Sequence, residues 1–289
     1  MSIPALSSQL RSNFKIGVFD SGVGGLTVLR ELRSQLPYES VVYFGDTARV
    51  PYGNRSKQEI LRFVREIIAW MMQRDVKMVI MACNTSSALV LEAVRSEFPI
   101  PILGIILPGA RAAIKSGRQI GVISTQATAD SNAYRRAVLE IDPTAQVWQV
   151  GCQEFVPLIE GDRLHDPYTL AVAKRYVQPL LDRGIDTLVY GCTHYPHLAP
   201  VFRHFVPPSI ALVDPAKYLT AAANQELKIL RLNRSATSLD AQPTDFYVSG
   251  DPQQFAQVSR QWLGYQPQVK QVSVSALEAI HAASYRSSD

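Results

Sequence analysis

The sequence predicts an α/β protein of two pseudo-symmetric, doubly wound domains with mainly parallel sheets. Short apolar runs alternate along the chain with amphipathic segments, the order that produces a parallel sheet covered by helices. Residues 74–85 (RDVKMVIMACNT) match residues 183–194 (RGIDTLVYGCTH), and residues 15–20 (KIGVFD) match residues 119–124 (QIGVIS). Solenoid repeats are only roughly 20–50 residues long, so matches this far apart indicate a duplicated domain.

The first domain is expected to comprise residues 1–108 together with residues 216–289. Its strands are predicted in KIGVFD, SVVYFGD, VKMVIMAC and IPILGII, because each is a short apolar run that ends in a polar or glycine-containing loop. The intervening helices are predicted over residues 26–35, 56–74 and 89–97, where the segments are amphipathic.

The second domain, expected over residues 109–215, repeats this order. Its strands are predicted in QIGVIS, AQVWQVGC, TLVYGC and IALVDP, with helices near residues 130–140 and 168–182. Further helices over 216–230 and 253–263 accompany the strands FYVSG and VKQVSVS, which we expect to return to the first domain. The polar segment 232–244 is predicted to be an exposed loop.

Composition limits the classes of function. The chain has 289 residues, enough for two domains, and its 47% hydrophobic and 19% charged residues are typical of globular proteins. The net charge of +4 comes from dispersed Lys and Arg, which predicts no nucleic-acid partner. The apolar runs are too short to span a membrane, and the N-terminal stretch MSIPALSSQLRSNF does not resemble a signal peptide, so we expect a cytoplasmic protein.

The chain contains three cysteines, Cys83, Cys152 and Cys192. They form no CxxC pair and have no His/Cys spacing typical of zinc ligands, so we expect no structural metal. Cys83 and Cys192 follow equivalent strands of the two repeats, and in a parallel sheet ligands bind at this end of the strands. This arrangement suggests a pseudo-twofold site with one thiol on each side of a ligand. The alternative is a disulfide between them, which needs Cα atoms within roughly 7 Å.

Two polar loops follow the first two strands. The segment FDSGVGGLTV contains Asp20 and three glycines before a helix, which suits either an anion site or only a tight turn. The segment YFGDTARVPYG contains Asp46, Tyr52 and Gly53, and on its own it is either a solvated loop or part of a binding site. Because both loops follow neighbouring strands, we favour a shared cleft.

Further acid and base candidates lie near the cysteines in sequence. His194 comes two residues after Cys192, where an imidazole can stabilise a thiolate or exchange protons with a thiol. Glu154 follows the AQVWQV strand and is a candidate for a similar role, the alternative being a surface glutamate. Two facing thiols suit a reaction that removes a proton from one face of a carbon and returns one to the other face.

The motifs DSGVGG, GDTARVPYG, ACNT and GCTHYP, in this order, resemble the aspartate/glutamate racemase family over nearly the whole chain. The resemblance implies an isomerase that interconverts L- and D-glutamate without a cofactor and supplies D-glutamate for peptidoglycan. It also implies a homodimer with a small-molecule substrate. The segment STQATADSNAY departs from the family pattern, since Ala127 stands where the family commonly has glycine.

The resemblance also implies roles for individual residues. Cys83 and Cys192 would be the two acid/base thiols, the first taking the proton from D-glutamate and the second from L-glutamate. Asp20, together with Glu154 or His194, would assist them. The substrate's carboxylates and ammonium would be held by Ser21, Tyr52, Gly53, Asn84, Thr85, Thr128 and Thr193.

Two alternatives stay open at the level of sequence. An aspartate or hydantoin racemase of the same superfamily would share the thiols but prefer another side chain. A non-catalytic amino-acid binding protein would have the cleft without needing the thiols.

Overall fold

The structure is a computed structural model that describes residues 12–234 and 243–286. Residues 1–11, in which no signal peptide is predicted, and most of the predicted loop at 232–244 lie outside the described residues. No helix within the described residues is long and apolar enough to cross a membrane. The strands in chain order are β1 Lys15–Asp20, β2 Val41–Gly45, β3 Val76–Met81, β4 Ile102–Gly104, β5 Gln119–Ser124, β6 Gln146–Gly151, β7 Thr187–Gly191, β8 Ala211–Val213, β9 Thr244–Val248 and β10 Val269–Gln271.

Helices connect these strands. The α-helices in chain order are α1 Leu26–Gln35, α2 Lys57–Met72, α3 Asn84–Val94, α4 Ile106–Ser116, α5 Gln126–Asp130, α6 Ala133–Ile141, α7 Phe155–Glu160, α8 Pro167–Leu181, α9 Ala199–Arg203, α10 Pro215–Ile229, α11 Pro252–Leu263 and α12 Val274–Arg286. Two short 3₁₀ helices, Tyr52–Asn54 and Tyr195–Leu198, lie in loops after strands.

The strands form two parallel sheets with a repeated strand order. The first sheet has six strands in the order β10-β9-β2-β1-β3-β4, and the second has four in the order β6-β5-β7-β8. The strand order β2-β1-β3-β4 of the first sheet thus recurs in the second as β6-β5-β7-β8. This confirms the predicted pair of related α/β units. The late strands β9 and β10 extend the first sheet through parallel pairing of β9 with β2. The residue limits of the two domains stay a prediction.

The burial of whole strands explains why the strand segments of the sequence are continuous apolar runs. All residues of β2, β3 and β7 are buried, as expected for parallel strands covered by helices on both faces. One buried cluster includes Val18 and Ile80 of the first sheet together with Val122 and Val189 of the second. The two units therefore pack against each other through a shared apolar core.

The structure differs from the prediction where β3 ends. The small polar residues after Cys83 form the first turn of α3, which begins at Asn84, whereas the sequence predicted a loop here and a helix from residue 89. Polar residues suit a first helical turn because its N–H groups have no partner within the helix. The prediction also missed the helices α4, α5, α7, α9 and α12.

A buried ion pair lies at the amino-terminal end of β3, opposite the end that carries Cys83. Lys77 Nζ of β3 lies 2.6 Å from Glu39 Oε2, and both side chains are almost fully buried. The same ammonium donates to the carbonyl oxygens of Ser12 and Leu232, each at 2.7 Å. The second oxygen of Glu39 accepts from the Arg234 backbone N–H. The pair therefore ties two distant chain segments to β3.

We predict that Lys77→Met lowers the free energy of unfolding by about 3 kcal/mol, because removing one member of a buried pair leaves the other charge uncompensated. Urea denaturation measures this. Lys115→Met, an exposed lysine of α4, is the matched control and should change stability by less than about 0.5 kcal/mol. Equal stabilities of the two variants would contradict the prediction.

Candidate active site

A small cavity of about 40 Å³ lies between the carboxyl ends of the two sheets. Both Cys83 and Cys192 line it, and both are free thiols, so the disulfide alternative is not realised. The cavity has room for only a few water molecules. Its lining consists of Ser21, Val50, Pro51, Tyr52, Gly53, Cys83, Asn84, Thr85, Thr125, Val156, Cys192, Thr193 and His194.

Cys83 sits between β3 and α3, where its backbone forms the N-cap of the helix. The side chain is 5% exposed, and its Sγ lies 3.9 Å from Ser21 Oγ. Burial, followed by the nearby charge of Asp20, raises the pKa of the Cys83 thiol to about 12. At neutral pH this residue is therefore a protonated thiol that can donate a proton.

Cys192 follows β7 and has different neighbours. The residue is 7% exposed, and its Sγ lies 3.7 Å from Nδ1 of His194. The other ring nitrogen of His194, Nε2, lies 2.9 Å from Glu160 Oε1. The imidazole therefore bridges the thiol and a carboxylate, an arrangement that stabilises a thiolate through a charged ring.

The protonation of His194 depends on both neighbours. Burial acts to lower the pKa of His194, but the hydrogen bonds and negative charges of Cys192 and Glu160 outweigh it and raise the pKa to about 10. His197 lies beside the same indole, Trp262, but its pKa is lowered to about 4 by burial and by the charge of His194. The two histidines of this cluster therefore differ in charge at neutral pH.

Asp20 is held at the end of β1, behind the cavity. It is 1% exposed, and its carboxylate oxygens accept from the Gly22 N–H at 2.9 Å and from Thr193 Oγ at 3.2 Å. Burial raises its pKa, although the charge of His194 and these hydrogen bonds act in the opposite direction. The second hydrogen bond crosses between the two units.

The glycines of the DSGVGG loop permit a close contact between the units. A β-carbon on Gly24 would lie 2.5 Å from Nδ1 of His194 and closer still to the Thr193 hydroxyl. Thr27 Oγ, three residues on, donates to the Thr193 carbonyl at 3.1 Å. Packing therefore requires glycine at position 24, because only a residue without a side chain lets the loop after β1 approach His194.

The second polar loop forms a buried polar network. Asp46 accepts from Tyr52 Oη at 2.6 Å and from Ser249 Oγ at 2.7 Å. Arg49 forms ion pairs with Asp46 and with Glu66 of α2. Because Tyr52 lines the cavity and Asp46 does not, the network serves to hold the ring of Tyr52 in place.

Hydroxyls from both units meet beside Asn84. Thr85 Oγ lies 3.0 Å from Thr125 Oγ and 3.3 Å from Thr128 Oγ. Thr125 lines the cavity, whereas Thr128 is fully buried behind it. Asn84 Nδ2 is buried without a hydrogen-bond partner in the described part of the chain, so the site offers an unused donor.

The structure brings most of the predicted site residues together and leaves three, Asp20, Thr128 and Glu154, outside the cavity lining. Asp20 lies directly behind the lining and Thr128 behind Thr125. Glu154 is not brought to the thiols, because its carboxylate accepts hydrogen bonds from Tyr168, Tyr176 and Arg175 on α8. Ser21, Tyr52, Gly53, Asn84, Thr85, Thr193, His194 and both strand-end cysteines line the cavity.

The sequence reasoning missed Glu160, which is the carboxylate that contacts His194. It is the last residue of α7, six positions after Glu154, and neither the repeat nor a motif identifies it. Only the packing of α7 against the loop after β7 brings it to the imidazole. Cys152, by contrast, is 1% exposed and outside the cavity lining, and burial raises its pKa, so it stays a neutral packed thiol.

Comparisons of the sequence with a family model and with curated proteins agree on one family. The model of the Asp/Glu/Hydantoin racemase family matches residues 16–223. A curated protein of Rippkaea orientalis named glutamate racemase is 66% identical over 262 residues, covering 91% of this chain and 92% of its own. A glutamate racemase of Synechocystis sp. is 65% identical over 266 residues, covering 92% and 94%.

Solved structures agree with these sequence matches. The crystal structure of glutamate racemase isoform RacE1 from Bacillus anthracis has a TM-score of 0.87 and 36% identity, covering 91% of this chain and 98% of its own. Glutamate racemase from Francisella tularensis, solved in complex with D-glutamate, has a TM-score of 0.85 and 33% identity, covering 93% and 99%.

We predict that the ring of His194 is doubly protonated at pH 7.5 while that of His197 is neutral. Ring ¹⁵N chemical shifts, assigned with His→Gln variants, measure both. Because its folded-state pKa is raised, charged His194 stabilises the fold below about pH 6.5, and this contribution is lost as the pH rises through about 10. For His197, whose pKa is lowered, stability is lost as the pH falls from about 6.5 through about 4. A neutral His194 at pH 7.5 would contradict the geometry.

Proposed function

This chain belongs to the Asp/Glu/hydantoin racemase family and is an amino-acid racemase, and we propose that its substrate pair is L- and D-glutamate. The observation that carries the proposal is the pair of free thiols, Cys83 and Cys192, that line one cavity from the ends of equivalent strands. Relatives with high identity over most of the chain bear the name glutamate racemase, which favours glutamate over aspartate or hydantoin.

The proposed reaction uses one thiol on each face of the α-carbon. The Cys192 thiolate removes the α-proton of L-glutamate, so the C–H bond breaks, an S–H bond forms and the electron pair stays on the substrate as a carbanion. The Cys83 thiol then gives its proton to the opposite face and becomes a thiolate. The product is D-glutamate, and the reverse reaction exchanges the two roles.

The different surroundings of the thiols fit these roles. Cys83 has a pKa raised to about 12, so it is ready to donate a proton. His194, with its pKa raised to about 10, is a cation beside Cys192 and stabilises the thiolate that accepts one. Glu160 holds this ring from the other side at 2.9 Å.

The substrate's carboxylates have suitable partners around the cavity. The N-terminus of α3 carries backbone N–H groups that favour an anion, and Asn84 Nδ2 and Thr85 Oγ lie in its first turn. Ser21, Tyr52, Gly53 and Thr193 complete the proposed binding set, with Thr128 acting through Thr85. Asp20, which accepts hydrogen bonds from loops of both units, assists the two thiols, whereas Glu154 is not part of the proposed machinery.

The cavity of about 40 Å³ is much smaller than a glutamate molecule. Substrate entry therefore requires the two units to separate, and the closed arrangement excludes water from the carbanion. The proposal includes the predicted domain limits, residues 1–108 with 216–289 and residues 109–215, as the two bodies that move. It also includes a cytoplasmic homodimer that supplies D-glutamate for peptidoglycan.

We predict that the purified protein racemises glutamate at least about 100-fold faster, by kcat/KM, than aspartate. The reason is that a hydrogen-bonding site discriminates against a ligand that leaves its buried polar groups unpaired. Circular dichroism of the amino acid measures both rates. Faster racemisation of aspartate would favour the related racemase class, and loss of the α-hydrogen from neither amino acid in D₂O would favour a non-catalytic binding protein.

We predict that Cys83→Ser and Cys192→Ser both abolish racemisation but keep different half-reactions, because serine is a much weaker base than a thiolate yet can still relay a proton. The measurement is elimination from a glutamate analogue with a leaving group next to the α-carbon, which needs only deprotonation. Cys83→Ser should process the L form and Cys192→Ser the D form. Cys152→Ser is the control and should racemise normally. Equal rates with both enantiomers in both variants would refute the assignment.

A further inference from the structure

Tyr134 connects the second unit to the proposed substrate site. This tyrosine lies on α6 and is fully buried. Its hydroxyl donates to Asn84 Oδ1 of α3 at 2.7 Å. The hydrogen bond therefore joins a helix that follows a strand of the second sheet to the helix that begins beside Cys83. Neither the repeated strands nor the family motifs assign Tyr134 a role.

The hydrogen bond determines which end of the Asn84 amide remains available. A carboxamide has one acceptor oxygen and one donor nitrogen, and Tyr134 occupies the oxygen. The nitrogen has no partner among the described residues, although Asn84 is only 3% exposed and lines the cavity. Leaving a buried donor unpaired costs about 1–3 kcal/mol. A ligand acceptor in the cavity would recover this cost.

The ring of Tyr134 has little freedom to move. A β-carbon on Gly109 of α4 would lie 3.1 Å from Cε1 of Tyr134 and 3.0 Å from Pro215, so the helix packs directly against the ring. Since the ring is enclosed, the direction of its hydroxyl is set by the second unit. The amide of Asn84, in contrast, can exchange its two ends by rotation about one side-chain bond.

We propose that Tyr134 is a positioning residue that holds the Asn84 amide with Nδ2 directed at a carboxylate of the substrate. The inference rests on the proposed function, because it takes glutamate as the ligand. Tyr134 does not touch the substrate and acts only through Asn84. The site for the substrate carboxylate is then complete only when the two units are packed together. Its donor, Asn84 Nδ2, belongs to the first unit, and Tyr134, which orients that donor, belongs to the second.

The first test is Tyr134→Phe, which removes the hydroxyl and keeps the ring. We expect the KM for both enantiomers to rise about 5- to 10-fold with kcat changed less than about twofold, because a hydrogen bond of ordinary strength is lost from binding. The effect must be equal in kcat/KM for L- and D-glutamate, since enantiomers have equal free energy. Tyr190→Phe is the matched control: Tyr190 is 3% exposed and its hydroxyl has no partner in the described chain, so KM should not change.

The second test distinguishes positioning from a general structural role. In the Asn84→Ala background there is no amide to orient, so Tyr134→Phe should add less than about twofold to KM. The same 5- to 10-fold rise in both backgrounds, or no rise in the wild-type background, would overturn the inference. The thermal midpoint of each variant shows whether it is folded.

A measurement on the unsubstituted protein covers the case in which Tyr134→Phe does not fold. The side-chain ¹⁵N–¹H₂ signal of Asn84, assigned with Asn84→Ala, should shift when D-glutamate binds, because Nδ2 then donates to a carboxylate. An Asn84 signal that stays unchanged at saturating D-glutamate would overturn the inference. If the wild-type protein does not racemise glutamate at all, the proposed function fails first; if it does and only Tyr134→Phe is silent, the inference alone fails.

Discussion

The site depends on the close approach of two loops at Gly24, where a β-carbon would collide with Thr193 and His194. This contact brings the end of β1 in the first unit against the loop after β7 in the second. Through it, Thr193 reaches Asp20 with a hydrogen bond of 3.2 Å. Because both cysteines follow the carboxyl ends of their strands, the same approach makes them line one cavity.

The duplication is symmetric in its backbone and asymmetric in its electrostatics. Equivalent strands deliver Cys83 and Cys192, but burial and Asp20 keep the first thiol protonated, while His194 and Glu160 surround the second with a charged pair. A two-sided proton transfer needs one donor and one acceptor at each moment. In the proposed reaction the same type of side chain takes both roles, because the neighbours of the two thiols differ.

The repeated sequence was sufficient to predict the two parallel sheets and the shared location of Cys83 and Cys192, because strand ends are determined by local patterns. It was not sufficient for partners that come from packing between elements. Glu154 lies nearer to the AQVWQV strand in sequence, yet Glu160 at the far end of α7 contacts His194. Tyr134 reaches Asn84 across the two units, and no local pattern reports such a contact.

In the proposed reaction two different groups act on the two faces of the α-carbon, and the incorporation of solvent deuterium tests this. L-glutamate is incubated with the enzyme in D₂O until a few per cent of it has been converted. The two enantiomers are then separated, and their deuterium content is measured by mass spectrometry. We expect deuterium at the α-carbon of the D-glutamate formed, because Cys83 takes its hydrogen from solvent, while recovered L-glutamate keeps its original hydrogen. Deuterium appearing in recovered L-glutamate as fast as in D-glutamate would contradict the two-thiol account.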